Sequence, residues 1–284
     1  MARIALVTDS SCDLPKEVVE KWNIEVVPLR IVFSHGEYRD GIDLTTDEVV
    51  DRLSEEIPTT SMPSPSDIHA TFQRLQRDGF SHCIVLPISA AMSGTYNTFR
   101  LAAEEHEGIE IKVIDSSSLS WELGLIILEV ARLIHAGLEF NDIIAKVDDI
   151  KQKVKGYFVL DTLEYLKKGG RIGTVASSIG SLLNIKPIIT PNNEGKFVPY
   201  TIARGKKQAT RKMIQPIHEQ LKNTRASIAV FHIRAEEEAK ALLQQFQEME
   251  NVREVYLGTV SPTLLVHSGP GLLGIAISTC DHAE

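Results

Sequence analysis

The chain has 284 residues, long for a single hydrophobic core, so two domains are expected. Its hydrophobic content of 43% and charged content of 24% are those of an ordinary soluble globular protein, and a net charge of -8 at pH 7 disfavours nucleic acid or an anionic membrane as a standing partner. Three cysteines without a CxxC pair, Cys12, Cys83 and Cys280, suggest neither a zinc site nor a disulfide framework.

Taken in chain order, the first half alternates between two hydrophobic periods. "RIALVT" (3–8) is a compact apolar run followed by the polar loop "DSSCD". "LPKEVVEKW" then predicts a helix with Asp13 as N-cap and Pro15 in the first turn. "IEVVPLRIVF" (24–33) has strand character, and Thr45-x-x-Glu48 is a capping box that opens an amphipathic helix. Ser64 as N-cap, Pro65 at the first helical position and Gly79 as the stop bracket another helix. "HCIVLPI" and "IEIKVID" (109–115) read as buried strands, and a long helix runs through "SWELGLIILEVARLIHAG" to Gly137. Such βαβ alternation predicts a parallel sheet with helices on both faces. The apolar run in "MARIALVTDSS" is too short for a signal peptide. "LGLIILEVARLI" (123–134) carries Glu129 and Arg132 and is too short to span a bilayer. No stable membrane insertion and a cytoplasmic location are therefore expected.

The second half is patterned differently. After a helix over 141–153, "GYFVL" reads as a strand and "DTLEYLKKGGR" as a short helix stopped by Gly169 and Gly170. "KPIIT", the turn "PNNEGK" and "FVPYTIAR" predict a hairpin. Helix, strand, helix and strand follow through 206–260, and the chain continues into "SPTLLVHSGPGLLGIAIST". The expected architecture is α/β in two domains, a parallel α/β domain over 1–155 and an α+β domain over 156–284.

Ligands of open α/β sheets lie beyond the carboxyl ends of the strands. Four loops qualify: "TDSSCD" (8–13), "PTTSMPS" (58–64), "AAMSGTY" (90–96) and "DSSSLS" (115–120), all crowded with hydroxyl groups. Each alone is explained by helix capping; their concurrence suggests a site for a carboxylate or phosphate. Ser93 could be a nucleophile, yet Ala91 and Gly94 around it do not make a G-x-S-x-G elbow. A hydrogen bond from Ser93 to a bound anion, with Gly94 and Thr95 in support, is the preferred reading. Neither a phosphate-cradling P-loop nor a metal-ligand spacing among the nine histidines occurs, so no catalytic residue, metal or cofactor is assigned. The glycines of "VHSGPGLLG" (266–274), Gly269 among them, would let backbone approach a ligand closely, with His267 just ahead. "KKGGRIG" (167–173) and "ARGKKQATRK" (203–212) are the basic spots of an acidic chain, readable as helix-end charge and a solvated face or as a dock for a phosphate-bearing partner.

"VTDSSCDLP", "PTTSMPSPSD", "SAAMSGTYN", "VIDSSSLSWELG", "LEYLKKGGRIG", "LLNIKPII" and "HSGPGLLG" occur in this order across nearly the whole chain. Together they resemble the DegV family, whose members serve as fatty-acid-binding subunits of bacterial fatty acid kinase. The resemblance implies two domains with one long-chain fatty acid between them. It implies a carboxylate gripped by Thr60 and Ser93, with Ser61 adjacent, and places His267 and Arg171 at the same site. It also implies that the protein is not itself a catalyst. An ATP-dependent fatty acid kinase subunit would phosphorylate the presented carboxylate, yielding an acyl-phosphate for phospholipid synthesis. The sequence departs from the family pattern at Ala90 and Ala91, where serines are frequent, and at Met62, where Gln is common.

Physically, a long tail would supply affinity at about 0.8 kcal/mol per buried methylene, and hydroxyl donors, aided by a protonated His267, would compensate the desolvated carboxylate. "LGLIILEVARLI", "IGSLLNI" and "LLGIAI" are candidate tunnel linings. Arg204, with Lys206 and Lys207 in support, is the expected docking patch for the kinase, its side chains pointing outward. Two rival readings remain: a serine hydrolase or acyl transferase using Ser93 and His267, and a binding protein for a small phosphorylated ligand.

Overall fold

The computed structural model describes residues 3–178 and 184–279. The first half runs β1 (Ile4–Asp9), α1 (Lys16–Lys21), β2 (Ile24–Val27), β3 (Arg30–Phe33), β4 (Gly36–Arg39), α2 (Thr46–Arg52), β5 (Thr59–Ser61) and α3 (Pro65–Arg77). It continues with β6 (His82–Val85), α4 (Thr95–Glu104), β7 (Glu110–Val113), α5 (Ser120–His135) and α6 (Phe140–Lys153). The second half comprises β8 (Val154–Val159), α7 (Glu164–Lys168), β9 (Ile185–Pro191), β10 (Phe197–Arg204) and α8 (Lys206–Leu221). It ends with β11 (Ala226–His232), α9 (Glu236–Gln247), β12 (Val252–Thr259), α10 (Pro262–Ser268) and β13 (Leu273–Ser278).

β1, β2, β6 and β7 form a four-stranded parallel sheet in the order β2-β1-β6-β7. Alternate residues of its buried strands face opposite ways. Val7 and Val85 pack with Phe72 of α3 and Phe99 of α4, whereas Leu6 and Ile84 pack with α5. The second half builds a six-stranded mixed sheet, β10-β9-β8-β13-β11-β12, in which only β11 and β12 are parallel neighbours. Its outer face is closed by α8 and α9 through Met213, Ile217 and Phe246. α5 touches both β1 and the β8–β13 region, and every residue from Ser120 to Ala131 is buried. A helix apolar on all sides belongs in the middle of a protein, and α5 is the layer between the two sheets. Among the described residues, no helix is long and apolar enough to cross a membrane.

Local capping follows the sequence closely. Thr45 and Glu48 form the reciprocal capping box of α2, and Ser64 caps α3 with Pro65 at its first position. Two expectations fail. The strand over 24–33 is broken at Pro28, which has no N–H to give a ladder, and the chain leaves the parallel sheet there. β3 instead joins β4 and β5 in a small antiparallel sheet, with Ile31 opposite Thr60. Asp13 does not cap α1: it takes a left-handed conformation at φ 55°, and the helix starts later, with Pro15 as its N-cap. Its carboxylate is engaged elsewhere, accepting from Ser120 Oγ at 2.5 Å and from the Ser261 amide at 2.8 Å.

Three long-range bonds join the halves around α10. Asp13 takes the Ser261 amide, Asp40 takes the Thr263 amide at 3.0 Å, and Thr46 Oγ1 donates to the Val260 carbonyl at 2.7 Å. Aspartates at the start of a helix supply acceptors to amides that have no intrahelical partner. His267 lies in the last turn of the same helix, so its position is set from the first half of the chain.

Candidate ligand-binding site

Between the halves lies a cavity of about 370 Å³. Its wall is mainly apolar, with Leu29, Ile88, Phe158, Phe197, Phe231 and Leu264 contributed by both halves. Thr60, Ser61, Ser93, Gly94, Arg171 and His267 also line it. Ser61, Met62 and Gly94 are exposed, which places the mouth at the 58–64 and 90–96 loops.

β5 presents Thr60 to α10, where Thr60 Oγ1 lies 2.7 Å from His267 Nε2. Burial, reinforced by the positive charge of Arg171, pushes the His267 imidazole down to about 4. The ring is therefore neutral near pH 7, which corrects the expectation of a protonated His267. Among the described residues its Nδ1 has no hydrogen-bond partner. A buried N–H without an acceptor is rarer than a bare lone pair, so the proton belongs on Nε2 and is donated to Thr60. Thr60 keeps its own hydroxyl proton for the cavity. Gly169 is the reason the ring fits: a Cβ there would run into Nδ1.

Ser93 precedes α4, whose N-cap is Gly94. Its Oγ lies 2.8 Å from Thr95 Oγ1 and accepts from the Thr95 amide at 3.3 Å. With the buried Thr95 hydroxyl as donor, the Ser93 proton is also free to point into the cavity. Arg171 ties the two sides of the mouth, donating from Nε to the Met92 carbonyl at 3.2 Å and from Nη1 to the Gly169 carbonyl at 2.6 Å. Hydroxyl donors, a guanidinium and the positive end of α4 at one end of an apolar cavity suit a ligand with one anionic group and an apolar body. A serine nucleophile would need His267 as its base, but the described partners are Thr60 for His267 and Thr95 for Ser93.

Other expectations are redistributed. Loop 8–13 does not line the cavity: Asp9 accepts from Ser11 and from the Ile88 amide, Asp40 accepts from Ser10, and Asp13 is bound as described. Residues 123–131 are interior core away from the cavity wall, and of "LLGIAI" only Leu272 reaches it. Residues 179–183 of "IGSLLNI" lie outside the described residues. Gly269 and Gly271, at φ 75° and 85°, are not among the residues lining the cavity; side chains there would strike Tyr165 and Asp161. Ala90 and Ala91 contribute amides, to Asp115 at 3.0 Å and Ser89 at 3.1 Å, and Met62 Sδ accepts from Thr98 at 3.2 Å. Arg204 and Lys207 are exposed, whereas Lys206 is half-buried and ion-paired with Asp161 and Glu238. Glu122 and the aromatic wall formed by Phe158, Phe197 and Phe231 were not foreseen. The acid buried in an apolar helix was the readable signal for Glu122.

A family model described as "Uncharacterised protein, DegV family" matches residues 3–279. A DegV domain-containing protein of Clostridium acetobutylicum is 41% identical over 277 residues, covering 98% of this chain and 99% of that one. Among solved structures, a DegV family protein from Thermus thermophilus, described by its fatty acid binding, superposes with a TM-score of 0.91 at 30% identity, covering 98% of this chain and 100% of that one. DegV from Bacillus subtilis, described as a fatty acid binding protein, gives the same TM-score of 0.91 and 30% identity, with 99% and 100% covered. A stearic acid-binding protein from Eubacterium ventriosum superposes with a TM-score of 0.87 at 29% identity, with 98% of each chain covered. With the family model spanning both sheets and the cavity between them, the chain belongs to the DegV family.

Proposed function

We propose that this protein is a non-catalytic carrier that encloses one long-chain fatty acid and holds its carboxylate at Thr60 and Ser93. The observation that carries this reading is the asymmetry of the cavity, with Thr60, Ser93, Arg171 and His267 gathered at its mouth and a wall that is mainly aromatic and aliphatic elsewhere, Glu122 interrupting it. The similar proteins from Thermus thermophilus, Bacillus subtilis and Eubacterium ventriosum, described as fatty-acid binders, support it. Neutral His267 donates to Thr60 and Thr60 donates to the carboxylate, so the anion is met by oriented dipoles. A separate ATP-dependent kinase subunit docks over the mouth, Arg204 and Lys207 contributing to its recognition, and transfers phosphate to the carboxylate for phospholipid synthesis. That partner is implied by the family resemblance. Native mass spectrometry of the purified protein, followed by calorimetry after delipidation, tests the carrier reading. One long-chain acid per chain is expected; binding of phosphate or sugar phosphates with no binding of long-chain acids would overturn it.

A further inference from the structure

Glu122 lies in the first turn of α5, lines the cavity and is only 6% exposed, and among the described residues its Oε2 has no hydrogen-bond partner. β8 makes room for it at Gly156, where a Cβ would stand 3.1 Å from that oxygen. Burial, offset in part by the charge of Lys155, raises the carboxyl to about 8, so near neutral pH it is a protonated group that must donate as well as accept. Phe158 and Phe231 line the same cavity and offer its proton no acceptor. A hydrocarbon tail would offer none either, and a buried polar group without a partner is costly.

Glu122 also stands away from the mouth. Ser120, two residues before it, donates to Asp13, which takes the amide of Ser261 at the start of α10. His267 closes that helix, and six residues of α-helix span about 9 Å. The carboxyl therefore faces the ligand well beyond its anionic end. We infer that Glu122 forms a subsite for an oxygen carried part-way along the acyl chain, so that the preferred ligand is a mid-chain hydroxy fatty acid. A hydroxyl matches a protonated carboxyl twice over, accepting from its O–H and donating to its free oxygen. This inference rests on the fatty-acid reading above.

Calorimetry on the delipidated protein with stearate, 2-hydroxystearate, 10-hydroxystearate and 12-hydroxystearate tests it. At least one mid-chain hydroxy acid is expected to bind the wild type tenfold or more tightly than stearate, whereas 2-hydroxystearate gains no such advantage. Glu122→Leu should reverse the preference in favour of stearate, and Glu122→Gln, which keeps a donor and an acceptor, should retain it. The subsite is overturned if stearate binds the wild type as tightly as every hydroxy acid, or if a hydroxy preference survives Glu122→Leu. Should the leucine variant fail to fold, the wild-type ratio and the glutamine variant still decide. If stearate binds but no hydroxy acid is preferred, only the subsite fails; if none of the four acids binds, the fatty-acid reading fails with it.

Discussion

Two sets of hydroxyl-rich loops lie within this protein and do opposite things. Loop 8–13 contains Asp9 and Asp13, and its donors serve internal anions: Ser11 binds Asp9, Ser10 binds Asp40, and Ser120 of a neighbouring loop binds Asp13. Loops 58–64 and 90–96 contain no acidic residue. Thr60 and Ser93 are left with protons to give, at the mouth of the cavity. Whether a cluster of serines and threonines is structural or ligand-facing thus depends on whether an acid of the same chain reaches it first.

The sharpest way to break this contrast is to remove an internal carboxyl. Asp13→Ala leaves the Ser120 hydroxyl and the Ser261 amide buried without acceptors, and should cost about 2–4 kcal/mol of stability in urea unfolding. The measurement belongs near pH 6, where relief of a desolvated charge does not offset the loss; a change under 0.5 kcal/mol would remove the seam's structural role. At the mouth the expected effect falls on binding instead. Thr60→Ala and Ser93→Ala should each weaken long-chain acid binding by about 1–2 kcal/mol. Ser93→Ala should leave the unfolding midpoint unchanged, whereas Thr60→Ala should also lower it because the buried His267 Nε2–H loses its acceptor. Wild-type affinity in the double variant would place the carboxylate elsewhere.

Buried carboxyl groups also set a pH dependence. Burial raises Asp13 to about 7 and Glu122 to about 8, so the folded chain binds these protons more tightly than the unfolded chain. Stability should therefore rise as pH is lowered from about 8 to 6.5, by at most about 1.4 kcal/mol per unit for each group. His267, depressed to about 4, is neutral in both states above about pH 7.5 and opposes the trend only toward pH 6.5, where the unfolded imidazole begins to protonate. Asp13→Asn should flatten the slope, and an equal slope in both proteins would assign it to other groups.

Smaller effects are expected at the rim. Arg204→Ala with Lys207→Ala should lower coupled acyl-phosphate formation a few-fold, by roughly 0.5–1 kcal/mol, and leave acid affinity unchanged. Lost affinity would put these side chains in the cavity rather than on a docking face. The smallest expectation is no change at all. The His267 C2 proton resonance should not titrate between about pH 5.5 and 8; a midpoint near 6.5 would restore a charged histidine beside Thr60.

Capping and alternation were legible because their causes are local. Thr45 and Glu48, or Ser64 and Pro65, meet within one helical turn. The split at Pro28 was also local but was masked by strand-forming residues on both sides, Ile24, Val26 and Val27 before it and Ile31, Val32 and Phe33 after it. β5 was illegible, since three residues carry no periodicity and Thr60 is strand only because Ile31 stands opposite it. The partners of Asp13 lie 107 and 248 residues away, beyond any spacing rule. The motifs of the resemblance did bring Thr60, Ser93, Arg171 and His267 to one cavity, but family motifs could not show that His267 is neutral. Neutrality arises from burial and from Arg171, which are properties of the packed chain.

The clamp on α10 also imposes an order of assembly. Ser261 and Thr263, whose amides meet Asp13 and Asp40, emerge during synthesis long after Thr60, Ser93 and Arg171. Until they do, the two aspartates face water, and Thr60 has no imidazole beside it. Contacts of such separation close late, because the chain between them must be ordered first. The α10 wall of the cavity therefore joins only after every strand of the parallel sheet has been made, so the cavity is completed last.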